Sequence, residues 1–554
     1  MTCARTPLAL LGILTLASAP ALAQEEAPAA TPAAPAPAAE PATTTPAPAA
    51  AAPVENSADL FAAPSAQPAA AASPATADAP AFDASSAAAP AFVLKFKGAH
   101  EFAFHQPAYG DVLDYAGEMK SPAFRNALGL EARYGTLKLV SDWRLDLLLN
   151  RGSATTDGLA TGFDNGQRGA WDGLARIRPL ENYLSWSPKG TGLKISAGYQ
   201  TFAWGAADQI NPTDNLNPRD YTMGVMDAAK IPVLAADVTW YPTDSLSIEG
   251  VYVPVDQPYR FPVDYATEVQ GALGLTNAVQ YQDLKLGPGS FVAGGRLAYR
   301  GAVDASLSYL YDWDQYYVAS VGGRLYNPLR NAQVTLRRAR LHRVGADLKT
   351  TLGSFGLWAE GAANFTEHSN ESTLQRHWWV DYVAGLDTSF GPNDKAYVNL
   401  QYVGSVVPDF DESPFDVTQA MNPKYGEAYY RRLLASSLGF QTAQAWQGAT
   451  LDLKVTLFDG IVTPEVRAVY LIPVGYDDSA ITHHGSLALN PEIDIAPMDA
   501  FHILVGADLA WSWIEKKGVD GLQLDTTGDR IGEFTRFNNV YLKLAYQWDL
   551  EAKK

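Results

Sequence analysis

Apolar and polar residues alternate with a period of two along most of the chain from residue 92 onward. In the segment 137–147, Leu139 and Trp143 share one face, and charged side chains occupy the intervening positions. The same alternation recurs at 128–134, 303–313, 451–457, 501–513 and 540–548. Because successive side chains of a strand point to opposite faces, the pattern predicts β-strands with one apolar face and one polar face.

The length of these segments indicates strands that cross a membrane. They run about nine to twelve residues, which suits tilted membrane-spanning strands. Aromatic residues gather at their ends, where a bilayer interface accommodates rings with one wet edge. Since a sheet in lipid must close to pair its backbone, we predict an all-β, antiparallel transmembrane β-barrel of about 18 strands, range about 16–20. A large soluble β-protein is the alternative.

The region before residue 92 has a different character. Arg5, an apolar stretch from Pro7 to Ala19 and the site Ala21-Leu22-Ala23 predict a cleaved signal peptide over 1–23. Residues 24–91 are mostly Ala, Pro, Thr and Ser, a composition that cannot bury a core and predicts a disordered periplasmic linker. We place the barrel at 92–548 and a polar tail at 549–554. The signal and the barrel together predict the outer membrane of a Gram-negative bacterium.

Composition narrows the function further. The chain carries 60 acidic and 41 basic residues, a net charge of −19, which argues against a nucleic-acid binder. Cys3 is the only cysteine, so no intrachain disulfide or cysteine-ligated metal site is expected. Neither H-E-x-x-H nor G-x-S-x-G occurs, and we predict no enzyme site, metal or cofactor. The expected partners are outer-membrane lipids, lipopolysaccharide, the barrel assembly machinery and, through the linker, peptidoglycan.

The charged positions of the polar face are candidates for the wall of a water-filled lumen. Both signs of charge occur, which would produce a transverse field across a constriction. Salt bridges that hold neighbouring strands together are the alternative role. The candidates are Lys138, Asp142, Arg144, Asp146, Glu181, Asp237, Glu360, Asp387 and Arg467.

One segment, 198–221, departs from the alternation. It follows a clear strand and contains Asn-Pro twice, with aspartates close by, and such residues build fixed turns. We therefore predict a structured loop that folds inward over the lumen. Other long polar stretches, such as 314–338, are predicted as extracellular loops. The loop residues singled out are Trp204, Gly205, Asp208, Asn211, Pro212, Asp214, Asn217, Pro218, Arg219 and Asp220.

These residues carry a resemblance. The succession Gly-x-Gln, Trp-Gly, Asn-Pro-x-Asp and Asn-Pro resembles uncharacterised Gram-negative outer-membrane β-barrels that are related to porins and alginate-export channels. It is matched here by Gly198, Gln200, Trp204, Gly205, Asn211, Pro212, Asp214, Asn217 and Pro218. The resemblance implies a porin-like channel with a structured loop beside the lumen. Members generally end on an aromatic residue, whereas here Trp548 is followed by six further residues.

Two functions follow from the sequence. The first is an outer-membrane channel for passive or selective passage of small polar solutes. The second is a structural barrel whose Ala/Pro arm tethers the envelope. The sequence leaves the solute, the oligomeric state and the degree of closure by the loop open.

Overall fold

The computed structural model describes fourteen stretches of the chain. They are residues 92–108, 123–148, 159–161, 175–221, 226, 228–260, 279–282, 289–322, 333–367, 377–410, 443–474, 481–516, 523–524 and 531–553. The predicted signal peptide and the predicted linker lie outside the described residues.

In the described part of the chain, eighteen long strands form one closed antiparallel barrel, as the alternation predicts. Each strand pairs with its neighbours in sequence, and the first strand pairs with both the second and the last. The strands are β1 Phe92–Pro107, β2 Ala123–Tyr134, β3 Leu137–Leu148, β4 Ala175–Trp186, β5 Leu193–Gln200, β6 Val233–Thr243, β7 Leu246–Val253, β8 Val292–Tyr299, β9 Val303–Gly322, β10 Gln333–Leu352, β11 Phe355–Thr366, β12 Trp379–Phe390, β13 Ala396–Val406, β14 Ala445–Val455, β15 Val462–Val474, β16 Ile481–Met498, β17 Phe501–Lys516 and β18 Asn539–Lys553.

Smaller elements lie between these strands. Two-residue or three-residue strands occur at Leu159–Thr161, Arg219–Asp220, Ala229–Lys230, Gln280–Tyr281 and Gln523–Leu524. Short 3-10 helices occur at Pro392–Asp394, Phe458–Gly460 and Gly532–Phe537. Within the described ranges, no helix is long and apolar enough to cross a membrane.

The burial of side chains is inverted relative to a soluble protein. Along β9, Leu307 and Tyr309 are 55% and 45% exposed, whereas the alternating Ser308 is 7% exposed. The same contrast holds along β3, where Trp143 is exposed and the neighbouring Asp142 is buried. Apolar side chains therefore cover the outer face and polar side chains fill the inner face, the arrangement of a membrane-spanning barrel.

The connections alternate between short and long. Turns at 135–136, 244–245, 353–354 and 499–500 are tight, and the connections at the opposite end of the barrel are longer. We predict the stretch 314–338 as a loop, but the structure places part of it in strands. β9 covers 314–322, and β10 covers 333–338. Residues 317–322 pair directly with 333–338, so a long hairpin extends this side of the barrel.

The last strand is longer than the sequence suggests. Residues 549–553, which we place in a tail after the barrel, continue β18 and pair with β1. Asp549 lies opposite Lys97, and Lys95 forms an ion pair of 3.7 Å with Glu551. The predicted end at Trp548 therefore falls short of the end of the strand, because charge pairing with β1 replaces apolar alternation there.

Trp548 has a specific place in the seam between the first and last strands. Its indole lies over Gly98, which is directly opposite in the register, and its Nε1 donates to His100 Nε2 at 3.2 Å. A Cβ atom at Gly98 would lie 2.3 Å from the indole ring. The seam thus depends on a glycine that leaves space for the ring.

We expect Gly98→Leu to displace Trp548 and to weaken the seam. Overpacking of this kind costs about 1–3 kcal/mol of unfolding free energy. The measurement is the temperature above which the protein no longer migrates as a compact, folded barrel on detergent gels. Gly250→Leu is the matched control, because a Cβ atom at this exposed strand glycine meets nothing within 4 Å. Equal losses in both variants would contradict a specific role for the Gly98–Trp548 contact.

Candidate functional site

The segment that follows β5 lies inside the barrel, and Asn217 closes its base. The Asn217 side chain is 1% exposed. Its Oδ1 accepts the backbone N–H of Phe202 at 2.6 Å, and its Nδ2 donates to the carbonyls of Gln200 and Ile231, both at 3.0 Å. One side chain therefore joins the two ends of the segment, which we name the lumen loop (residues 201–218).

Asn211 shapes the tip of the lumen loop. Its Nδ2 donates to the carbonyls of Trp204 and Ala207 at 3.0 and 3.1 Å. Its Oδ1 accepts the backbone N–H groups of Thr213 and Asp214 at 3.2 and 3.0 Å. This is the fixed turn that an Asn before Pro predicts, and it explains why the motif places Asn at this position.

Glu360 on β11 attaches the lumen loop to the barrel wall. Its Oε2 accepts the N–H groups of Ala206 and Ala207 at 2.9 and 3.0 Å, and its Oε1 accepts the N–H and the hydroxyl of Thr213 at 2.6 and 2.8 Å. A Cβ atom at Gly205, whose φ is 89°, would lie 2.5 Å from Glu360 Oε2. The glycine thus permits both the turn and the close approach.

The loop also reaches β13 and β14. The N–H of Asp208 donates to Gln401 Oε1 at 3.1 Å, and the Asp208 carboxylate accepts a hydrogen bond from Asn399. Gln209 Nε2 donates to the carbonyl of Leu451 at 3.2 Å. Burial raises the pKa of Asp208, and the nearby Asp387 adds to this effect, against the attraction of Lys349 and the hydrogen bond from Asn399.

Apolar contacts hold the loop from two sides. Phe202, Trp204 and Leu216 pack against inner-face residues of β6 to β9 such as Val251 and Leu310. Ala207 and Ile210 pack in a second cluster that includes Trp358 on β11, Val403 on β13 and Trp446 on β14. Trp204 Nε1 in addition donates to Glu249 Oε2 on β7 at 3.1 Å. The loop therefore passes through the lumen from one part of the wall to another.

Charge pairs fix the second half of the motif. Asp214 forms ion pairs with Arg219 at 3.2 Å and with Lys230 at 2.7 Å. The carbonyl of Pro218 accepts the N–H of Ile231 at 2.7 Å. The chain leaving the loop is thus joined to the strand that carries it back to the wall.

A network of alternating charges extends from the end of the motif to β3 and β4 of the wall. Asp220, at the end of the motif, pairs with Arg178 on β4 at 3.0 Å and with Arg260 at 3.6 Å. Arg178 also pairs with Asp146 at 3.4 Å, and Asp146 binds Arg144. A further buried pair, Arg125 with Glu101, lies on the neighbouring strands. Each charge in this network has a counter-charge, which offsets the cost of removing it from water.

The predicted lumen residues all lie on the barrel strands, but they do not converge on one constriction. Glu360 holds the lumen loop, and Arg144 and Asp146 share the charge network. Glu181 also contacts the lumen loop, because it accepts the N–H of Thr201 at 3.2 Å. The others form local contacts: Lys138 with Glu131 at 3.4 Å, Asp142 with Lys97 at 3.0 Å, Asp237 with Thr239 at 3.4 Å, Asp387 with the N–H of Gly356 at 3.1 Å, and Arg467 with Asn490 at 3.1 Å.

Five residues of the site are missed when lumen residues are predicted from charge and strand position. Asn399 and Gln401 are uncharged, although they occupy the inner-face positions of β13. Arg178, Lys230 and Arg260 lie in the polar stretches 150–178, 205–231 and 255–289, which we predict as extracellular loops. The alternation of Asn399 and Gln401 with Val398 and Leu400 is the signal that identifies the first two. No comparable signal exists for the other three, since their partners are distant in sequence.

Comparison with known proteins supplies no family for this chain. No protein-family model and no curated protein matches it. The crystal structure of Acinetobacter baumannii OccAB4 has a TM-score of 0.44 at 9% identity, covering 83% of this chain and 98% of that chain. Pseudomonas aeruginosa OpdK with vanillate has a TM-score of 0.43 at 10% identity, covering 83% and 99%. P. aeruginosa OccK9 (OpdG) has a TM-score of 0.42 at 12% identity, covering 83% and 98%.

We expect Asn217→Ala to release the lumen loop. The substitution leaves the buried N–H of Phe202 without its acceptor, and each buried unpaired group costs about 1–3 kcal/mol. Hydrogen exchange of the amides in 201–218 should accelerate while exchange in the strands stays unchanged. Asn215→Ala is the matched control, because among the described residues the Asn215 side chain donates only to the carbonyl of Pro212. Unchanged exchange in the Asn217 variant would contradict its role in closing the loop.

Proposed function

We propose that this protein is a channel of the Gram-negative outer membrane that passes small polar solutes. The observation that carries the proposal is the inner face of the barrel, where buried charged and amide side chains surround an inward loop. A barrel that served only as an anchor would need no such interior, because apolar packing fills a closed sheet at lower cost than buried charge. A polar interior is typical of barrels that conduct water and solutes.

The lumen loop is the element that sets the size of the proposed passage. It contacts β7 through Glu249, β11 through Glu360 and β13 through Gln401. A segment that is attached at three separate parts of the wall divides the lumen and reduces its free cross-section. The solute passes beside the loop, where the remaining space is narrowest.

The two sides of the lumen differ in charge, which supports selection by orientation. Arginines outnumber carboxylates in the network of Arg144, Asp146, Arg178, Asp220 and Arg260. On the side around β13 and β14, the carboxylates of Asp208, Asp387, Asp452 and Glu465 outnumber the basic groups of Lys349, Lys454 and Arg467. Charges of opposite sign across a narrow lumen create a transverse field, and this field orients dipolar solutes as they pass.

We expect the purified mature protein to produce discrete current steps in a planar bilayer. Glu360→Ala removes four hydrogen-bond acceptor contacts to the lumen loop, so its conductance should rise about twofold or fluctuate between levels. Glu131→Ala is the matched control, because Glu131 pairs with Arg133 and Lys138 away from the loop. A folded protein that stays silent in both forms would contradict the channel.

The alternative function, a barrel whose arm tethers the envelope, has a separate test. Deletion of residues 24–91 removes the arm and leaves the barrel intact. A channel should keep its conductance after the deletion, whereas a tether should lose attachment to the cell wall. Loss of attachment with no conductance in either form would favour the structural role.

A further inference from the structure

One carboxylate of the inner wall has a buried oxygen without a hydrogen-bond partner and forms no ion pair among the described residues. Asp452 on β14 is 2% exposed, and its Oδ1 is buried without a hydrogen-bond partner. In the described part of the chain it also forms no ion pair within 4 Å. An uncompensated buried carboxylate is costly, and native proteins protonate such a group, pair it or use it to coordinate a cation.

Two amide oxygens near Asp452 are also buried without a hydrogen-bond donor. Asn399 is fully buried and lies directly opposite Asp452 in the register of β13 and β14. Its Nδ2 points to Asp208 and to the Tyr397 hydroxyl, which leaves Oδ1 buried without a donor. Residues directly opposite have Cβ atoms about 4.5–5.5 Å apart, so the two side chains are adjacent.

The lumen loop adds a second amide and a second carboxylate. Gln209 Nε2 donates to the carbonyl of Leu451, which precedes Asp452, and its Oε1 is buried without a donor. The Asp208 carboxylate accepts from Asn399, which lies opposite Asp452 in the register. Four residues with side-chain oxygens, from three separate parts of the chain, are therefore neighbours where the loop meets the wall.

The basic side chains nearest to this cluster are engaged with other groups. Lys454 pairs with Glu465 at 3.6 Å, and Arg467 pairs with Glu465 at 3.7 Å and with Asn490. Lys349 Nζ lies 5.9 Å from the centre of the Trp358 ring. Arg467 lies directly opposite Asp452 in the register of β14 and β15, yet no described basic side chain forms an ion pair with Asp452 within 4 Å.

We propose that a divalent cation of the Ca²⁺ class binds here, coordinated by Asp208, Asp452, Asn399 Oδ1 and Gln209 Oε1. Carboxylate and amide oxygens are the ligands that this hard cation prefers, and water completes its shell of six to eight. In the described ranges, no group of three or more His, Cys, Asp or Glu side chains could hold a metal ion. The amide oxygens are therefore essential to the proposed site. The cation would join the tip of the lumen loop to β13 and β14.

The position of the site gives the cation a structural consequence. Asp208 and Gln209 belong to the loop, whereas Asn399 and Asp452 belong to the wall. Binding therefore fixes the end of the loop that lies farthest from Asn217. With two carboxylates, the affinity should fall in the range of extracellular modules, with a Kd of about 0.1–1 mM.

The test uses the mature protein refolded in detergent without lipopolysaccharide, because lipid phosphates bind the same cations. Tb³⁺ replaces Ca²⁺, and its luminescence is excited through nearby aromatic side chains such as Tyr397. We expect a saturable signal that Ca²⁺ displaces and that weakens at least tenfold in Asp452→Asn and in Asp208→Asn. Asp347→Asn is the matched control, since this inner-wall carboxylate contacts Ser306 and Arg296 instead.

A second measurement covers variants that fail to fold. Thermal unfolding of the unaltered protein should shift upward by a few degrees in Ca²⁺ relative to a chelator, and less in Mg²⁺, which requires a stricter geometry. Absence of both a saturable Tb³⁺ signal and a Ca²⁺-dependent shift would overturn the proposal. An equal loss of binding in the Asp347 variant would also overturn it. Neither measurement depends on whether the barrel conducts.

Discussion

The closure of the sheet is the constraint on which the rest of this structure depends. In an apolar surrounding, every backbone N–H and C=O must find a partner within the protein, and only a closed sheet of strands provides one for all of them. The pairing of β1 with β18 completes this closure. The pairing explains why the last strand runs past the aromatic residue at Trp548, since the polar residues after it still form ladder pairs with the beginning of β1.

Closure also dictates the inverted distribution of side chains. The outer face meets lipid and is apolar, so polar residues are confined to the inner face, where they must be hydrated or paired. Both solutions occur here. Arg178 and Asp220 belong to a network in which each charge has a counter-charge, whereas Asp452 forms no ion pair among the described residues and its Oδ1 has no hydrogen-bond donor. The contrast between these two parts of the wall supports the proposed transverse field and the proposed cation site.

The barrel was predictable from the sequence because alternation is a local property. Residues such as Leu139 and Asp142 reveal their faces from sequence spacing alone, and eighteen strands fall within the predicted range. The turn at the tip of the inward loop was also predictable, since Asn211 forms its side-chain hydrogen bonds to residues close in sequence. Long-range partners could not be predicted from the sequence. Glu360 lies about 150 residues from the N–H groups it binds, and nothing in its surroundings distinguishes it from other lumen candidates.

The way the loop is held explains its unusual composition. The Glu360 carboxylate binds backbone N–H groups of Ala206, Ala207 and Thr213, and such bonds require the backbone to approach the wall closely. Small side chains in the stretch 205–207 permit this approach, and a Cβ atom at Gly205 would collide with the carboxylate. Because charge-assisted bonds to several donors fix position more strictly than apolar contact, the loop keeps one conformation in a wet interior. A loop held only by Trp204 and its apolar neighbours would slide along the wall, and the width of the lumen would vary with it.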